Sequence, residues 1–251
     1  MALYKSKNPA LSTEVFTKAK RIDTSSEVMT INGTVNKAAL LGLIVLSSSL
    51  ITWNLYQETQ DFLLLKPYVI GGSIAAFIVA LVIIFINTTA PYLSPVYCGL
   101  EGLALGGLSA FMEAKFPGIV LQSVILTFGI LFSLLTIYRL GIIKATENFK
   151  LIVASSTAGI AIYYIASLAG GVLGFQLPYI HDNSTGGIIF SLFVVVIASL
   201  NLVIDFDFIE KGAESKSPKY MEWYAAFGLM VTIIWLYLEI LRLLAKSRSR
   251  K

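Results

Sequence analysis

The chain has 251 residues, of which 56% are hydrophobic and only 14% are charged. Soluble domains carry roughly 25% charged residues, so this balance excludes an ordinary water-soluble domain. The formal net charge is +4, but the basic residues gather at the two ends and in a few loops, as in membrane proteins. No basic stripe interleaved with exposed aromatic residues indicates a nucleic-acid partner.

The first 30 residues form a polar segment of mixed charge that contains no apolar stretch. A secretory signal needs such a stretch, so the first membrane span is expected to act as its own targeting signal. We predict that residues 1–30 are a flexible cytoplasmic segment.

Seven apolar segments follow with short gaps between them, and prolines such as Pro67 are expected to limit the helices. The segments cover about 36–56, 67–87, 92–112, 118–138, 150–173, 184–206 and 222–245. Each is close to the roughly 20 residues that a membrane-spanning helix needs, and each is too long for a strand of a membrane barrel. We therefore predict an all-α fold, an integral membrane bundle of seven transmembrane helices over residues 31–245, with a basic tail at 246–251.

The lysines and arginines predict that the N-terminus is cytoplasmic. With that orientation the outer loops carry only Lys66 and Lys115, whereas the other basic residues upstream of the last span fall inside. The basic tail then lies outside if the last segment crosses completely. The alternative is that the last segment re-enters the membrane without crossing it.

Glycines mark where helices are expected to pack closely. The third segment carries Gly102 and Gly106 in the GxxxG spacing that lets two helix backbones approach each other. A flexible hinge at these glycines is the alternative, and the sequence does not separate the two.

The residue types that catalysis and metal binding need are scarce. The lone Cys98 lies in an apolar run, where we expect it to pack inertly, and a single His181 does not build a histidine metal centre. The sequence contains no HExxH, GxSxG, Walker or paired CxxC motif. We expect neither an enzyme nor a bound cofactor.

Four acidic residues lie within or at the edge of the predicted spans: Glu101, Asp205, Asp207 and Glu239. An ionised side chain in the membrane costs several kcal/mol unless it is paired or hydrated, so each is a candidate for function. Glu101 is near the middle of its span without a basic residue within a turn. Glu239 precedes Arg242 by three residues, a spacing that favours an ion pair on one helix face.

The sixth segment ends in a group of polar side chains. Asp205 and Asp207 are separated by about 200° around a helix, so they cannot share a face, whereas Asn201 and Asp205 can. We expect Asp205 to point into the bundle and Asp207 to meet the cytoplasmic interface. In the last segment Thr232 lies seven residues before Glu239, so a polar stripe along this helix is an open alternative to a local ion pair.

Several stretches together resemble the bacterial Bax inhibitor-1/YccA-like family of multi-spanning membrane proteins. They are MTINGTVNK at 29–37, EGLALG at 101–106, FPGIVLQ at 116–122, LNLVIDFDFIE at 200–210, EWYAAFG at 222–228 and WLYLEILR at 235–242. The resemblance covers about residues 25–245. It implies a bundle around a central C-terminal helix, in the bacterial plasma (inner) membrane.

The family resemblance further implies a pH-sensitive calcium leak, controlled by two aspartates from the last two helices. Asp205 matches the first of these, but Thr232 stands where the second belongs, and it cannot share a negative charge. Other acids are the alternatives for the missing partner. The candidate residues of the ion pathway or proton sensor are therefore Asp205, Asp207, Glu101, Glu239, Thr232 and Asn201, with Asp205 the ligand if calcium binds.

Two further functions are left open by the sequence. The YccA side of the resemblance implies a non-conducting regulator that binds a membrane protease or other membrane proteins, with residues 1–30 as the contact. A proton-coupled transporter is less favoured, because internal repeats typical of transporters are not evident.

Overall fold

The computed structural model describes residues 28–174, 178 and 182–250, and most of these residues are helical, with no strands among them. The helices are α1 (Ile31–Thr59), α2 (Phe62–Phe85), α3 (Ala90–Lys115), α4 (Ile119–Arg139), α5 (Glu147–Leu173), α6 (Thr185–Glu214) and α7 (Met221–Ser249). A short 3-10 turn at Asn87–Thr89 precedes α3. The predicted all-α fold is confirmed. Residues 1–27 of the predicted N-terminal segment and His181 lie outside the described residues.

Within this part of the chain, six helices are long and apolar enough to cross a membrane. The exception is α3, which holds four glycines and the buried Ser94 and Ser109 among its apolar residues. Large apolar side chains elsewhere are exposed, for example Leu43 on α1 and Phe77 on α2. Exposed apolar surface on long helices suits contact with lipid chains, so the chain is an integral membrane protein.

Several helices extend beyond their predicted apolar cores. Helix α2 begins at Phe62, where the Asp61 side chain accepts a hydrogen bond from the backbone N–H of Leu63. Pro67, expected to limit this helix, lies inside it instead, because the apolar residues 62–65 continue the helix upstream. Helix α7 continues through Ser249, so most of the predicted tail is helical.

The first of two compact units contains the described residues of Met1–Lys115 together with Asp207–Val231. In it α1 and α3 pack backbone to backbone. A Cβ atom on Gly106 would lie 2.0 Å from the Ser49 carbonyl oxygen, and the Thr52 hydroxyl donates to the Leu103 carbonyl at 2.9 Å. The close approach predicted at Gly102 and Gly106 is confirmed, since a Cβ on Gly102 would lie 2.5 Å from the Val45 carbonyl oxygen.

The start of α1 is also tied to the turn between α6 and α7. The Met29 N–H donates to the Ser217 carbonyl at 2.7 Å, and Val28 and Pro218 form an isolated β-bridge. The first residues of α1 and the α6–α7 turn therefore lie on the same side of this unit.

The second unit contains Phe116–Phe206 and Thr232–Lys251. In it the end of α7 lies beside the starts of α4 and α6, because Arg248 donates to the carbonyls of Phe116 and Pro117 and to the Gln122 side chain. Lys246 donates to the Gly187 carbonyl of α6 at 3.1 Å. Helix α7 is continuous over 29 residues, about 43 Å, which favours a complete crossing over a re-entrant segment.

Candidate functional site

A column of buried polar side chains runs along α7 within the second unit. Thr232, Glu239 and Lys246 are buried and are spaced seven residues apart, so they lie on nearly the same helix face at intervals of about 10 Å. Each contacts polar groups of a neighbouring helix. We call these three residues and their direct partners the polar column.

The first level of the polar column contains the Asp205 carboxylate, which is 9% exposed. The Thr232 hydroxyl hydrogen-bonds to this carboxylate, so the structure brings together the two positions that the resemblance aligned. Among the described residues, however, nothing hydrogen-bonds to Asp205 Oδ2, which is buried. One oxygen of a buried carboxylate thus has no protein donor within the described chain.

Asn201 lies one turn from Asp205 on α6, as predicted. Its side-chain amide donates to the Thr157 hydroxyl of α5 and to the Ile197 carbonyl, both at 2.8 Å. Asn201 therefore joins α5 to α6 next to the Asp205 level.

The second level is centred on Glu239, which is 1% exposed. Its Oε1 atom accepts hydrogen bonds from Tyr164 (2.9 Å), Trp235 (3.3 Å) and Arg242 (2.9 Å). The predicted Glu239–Arg242 ion pair is confirmed. The network also includes α5, since Arg242 Nη1 donates to the Tyr164 hydroxyl at 2.6 Å and the guanidinium lies 5.1 Å from the Tyr164 ring centroid.

The third level is formed by Lys246, whose ammonium donates to Ser191 at 2.9 Å and to the Gly187 carbonyl. Asp182, which precedes α6 and lies outside the spans, interacts electrostatically with this lysine. Hydrogen bonds from Ser184 hold the pKa of Asp182 below its usual value, so its carboxylate is ionised at neutral pH and offsets the lysine charge. The sequence analysis assigned Lys246 to a basic tail, although its seven-residue spacing from Glu239 indicates that the two residues share a helix face.

Two of the predicted acids lie in the first unit. Asp207 is as buried as Asp205 at 9%, and its carboxylate pairs with Lys211 at 2.9 Å, whose side chain is 49% exposed. The pair therefore connects a buried aspartate to an accessible cation. Glu101 is half-buried beside Tyr97 and the buried Cys98, without a hydrogen bond or ion pair to another described residue.

A further buried carboxylate with several partners belongs to Glu222, which was not predicted from the sequence. Glu222 Oε1 accepts hydrogen bonds from the Thr30 N–H and hydroxyl, each at 2.9 Å, and pairs with Lys219 at 2.8 Å. Glu222 Oε2 pairs with Lys37. Gly33 leaves room for the carboxylate. We call Glu222, Thr30, Lys37 and Lys219 the turn anchor.

Single carboxylates at separate levels do not resemble a resident metal centre. Within the described ranges, no three His, Cys, Asp or Glu side chains come together in a way that would hold a metal ion. Calcium usually takes six to eight oxygen ligands when it is bound tightly.

Comparison with known protein families identifies a relationship for nearly the whole chain. A family model described as Bax inhibitor 1 like matches residues 8–249, a range that contains all seven helices and every candidate residue. The chain matches no curated protein and no solved structure.

Proposed function

The chain belongs to the Bax inhibitor 1 like family, and from that premise we propose that it forms a pH-sensitive leak pathway for cations, calcium first among them. The observation that carries the proposal is the Asp205 carboxylate, buried with one oxygen lacking a donor among the described residues. A negative charge inside a membrane needs a partner, and a cation or a proton supplies one. The charge state of Asp205 then decides whether a cation is attracted to this level.

The second residue of this level, Thr232, determines how many groups take part in the pH response. Thr232 donates a hydrogen bond to Asp205 but does not titrate, so the pathway responds through one carboxylate and not through a pair that shares a proton. Calcium, a hard cation, prefers carboxylate oxygens to other side-chain groups, which supports it as the transported ion.

The experiment is calcium flux into proteoliposomes at about pH 6 and pH 8. We expect wild-type flux to change between the two pH values, and Asp205→Asn to lose that pH response. Glu58→Gln is the matched control, because Glu58 is an exposed carboxylate at the end of α1. The proposal fails if folded wild-type protein passes no calcium at any pH, or if Asp205→Asn retains the wild-type response.

The orientation of the pathway belongs to the same proposal. We place the N-terminus and the α6–α7 turn on the cytoplasmic side of the bacterial plasma membrane, because Lys211, Lys216 and Lys219 cluster at that turn. Thiol labelling of intact cells that carry Lys216→Cys tests this. A reagent that cannot cross the membrane should leave Lys216→Cys unlabelled until the cells are opened.

A second candidate is a non-conducting regulator that binds a membrane protease or another membrane protein. It is favoured by the contacts of Met29 and Val28 with the α6–α7 turn, which bring the start of α1 to one defined place in the first unit. Deleting residues 1–27 separates the two candidates. A leak pathway without this segment should still conduct, whereas a regulator should lose its partner in a pull-down from membranes. In neither candidate does the chain act as an enzyme.

A further inference from the structure

Glu239 and Arg242 hold a second carboxylate site on the polar column. Resting on the proposed cation pathway, we propose that Glu239 is a cation-binding carboxylate and that the Arg242 guanidinium is a tethered counter-ion, which occupies the cation's place until it is displaced. The site takes a hard divalent cation such as calcium.

The geometry of the pair carries this inference. Arg242 Nη1 lies 2.9 Å from Glu239 Oε1 and 3.0 Å from Oε2, so one nitrogen faces both carboxylate oxygens. A calcium ion bound by both oxygens of a carboxylate takes the same position, at about 2.3–2.6 Å from each oxygen. The two cations therefore exclude each other.

The exposure of the two partners shows which one moves. Glu239 is 1% exposed and is held by Tyr164 and Trp235, which also pack against the buried Ile160 and neighbouring apolar residues. The Arg242 side chain is 38% exposed. Removal of the guanidinium from the carboxylate is the motion that costs the surrounding structure least, because the arginine already reaches the edge of the site.

The position on the polar column makes the site part of a route. Seven residues, about 10 Å, separate Glu239 from the Thr232 level on one side and from Lys246 on the other. Among the described residues, the charged groups that interact along this stretch include Arg242, Lys246 and Asp182. With Arg242 in place, the Glu239 charge is neutralised, and displacement of Arg242 leaves Glu239 as a negative charge between the Lys246 level and Asp205.

The number of ligands predicts weak binding. Two carboxylate oxygens and the Tyr164 hydroxyl supply three oxygen ligands, about half of what calcium usually takes, and water completes the shell. A weak site is what passage requires, because an ion that is held tightly does not leave.

The test is the thermal unfolding of purified protein in detergent, with calcium chloride or potassium chloride at equal ionic strength. In Arg242→Gln the Glu239 carboxylate loses its counter-ion, so calcium should raise the unfolding midpoint by about 3 °C or more at millimolar concentration. Wild type should show no such calcium response. Arg250→Gln, which removes one exposed charge from the same end of the chain, should behave like wild type.

The double variant Glu239→Gln/Arg242→Gln identifies the ligand, because it lacks the carboxylate and should lose the calcium response. The inference is overturned if Arg242→Gln responds to calcium no more than wild type does, or if the double variant responds equally. If Arg242→Gln does not fold in either salt, Arg242→Lys is measured instead. Its single ammonium should give a smaller but distinct calcium response, and no response overturns the inference.

Flux measurements keep this inference distinguishable from the proposed function. If wild type passes no calcium but Arg242→Gln is stabilised by calcium through Glu239, the cation site at Glu239 is supported and the proposed leak pathway is contradicted. If wild type shows pH-dependent calcium flux but Arg242→Gln is not stabilised by calcium, only the proposed role of Glu239 and Arg242 is contradicted.

Discussion

The turn anchor and the Thr232 level of the polar column each bury one carboxylate, but the two carboxylates differ in how many partners they have. Glu222 in the turn anchor is surrounded by two hydrogen bonds from Thr30 and by two lysines. Asp205 in the polar column has the Thr232 hydroxyl, and its Oδ2 has no partner among the described residues. At Glu222 this pairing makes the buried carboxylate a structural element, whereas the incomplete pairing of Asp205 leaves that carboxylate able to respond to an ion or a proton.

The largest loss of stability is expected from a substitution that disrupts the turn anchor. Glu222→Gln keeps the shape of the side chain but leaves Lys37 and Lys219 without a counter-charge, and we expect a loss of about 3 kcal/mol in the free energy of unfolding. The measurement is the unfolding midpoint in detergent. Glu214→Gln, at an exposed carboxylate near the end of α6, should change it little. An equal response of the two variants would contradict the role of the turn anchor.

A smaller loss in the free energy of unfolding is expected from a substitution where α1 and α3 pack against each other. In Gly106→Ala the new methyl group meets the Ser49 carbonyl, which a packed interface tolerates only by moving apart, at a cost of about 2 kcal/mol. Gly129→Ala in α4 is the control, because nothing lies within 4 Å of its Cβ position and alanine favours a helix. We expect only Gly106→Ala to lower the unfolding midpoint. Equal midpoints for the two variants would contradict the close packing of α1 and α3 at Gly106.

The smallest effect on stability is expected from the same carboxylate-to-amide change in the polar column. Asp205→Asn still accepts the Thr232 hydrogen bond and removes an incompletely paired charge, so the free energy of unfolding should change by less than about 1 kcal/mol. The contrast with Glu222→Gln, measured under identical conditions, is the sharpest form of the comparison. A loss at Asp205 as large as that at Glu222 would mean that both carboxylates are structural.

Local patterns predicted the features that depend on short stretches of chain. Long apolar runs gave the helices, the GxxxG spacing gave the contact at Gly106, and the three-residue spacing gave the pair of Glu239 and Arg242. The resemblance to a family, and not the spacing of residues, aligned Asp205 with Thr232.

Features that depend on distant residues were not predictable in the same way. The partners of Glu222 include Lys37, which lies 185 positions away in the chain. Lys246 was placed in a basic tail because it belongs to a run of charges at the end of the sequence, yet its partners Ser191 and Gly187 bury it. Burial of a charged side chain depends on which helix supplies the acceptors, and the seven-residue spacing from Glu239 indicates only the helix face on which Lys246 lies.

The central claim is that pH acts on the pathway at the level of Asp205 and Thr232, and the pH midpoint of calcium flux in Thr232→Asp tests it most directly. This variant places a second carboxylate beside Asp205, and two neighbouring carboxylates hold a shared proton to higher pH than one alone. The account predicts that the flux midpoint moves to higher pH than in wild type. A midpoint that stays at the wild-type value, in a protein that folds and conducts, would contradict it.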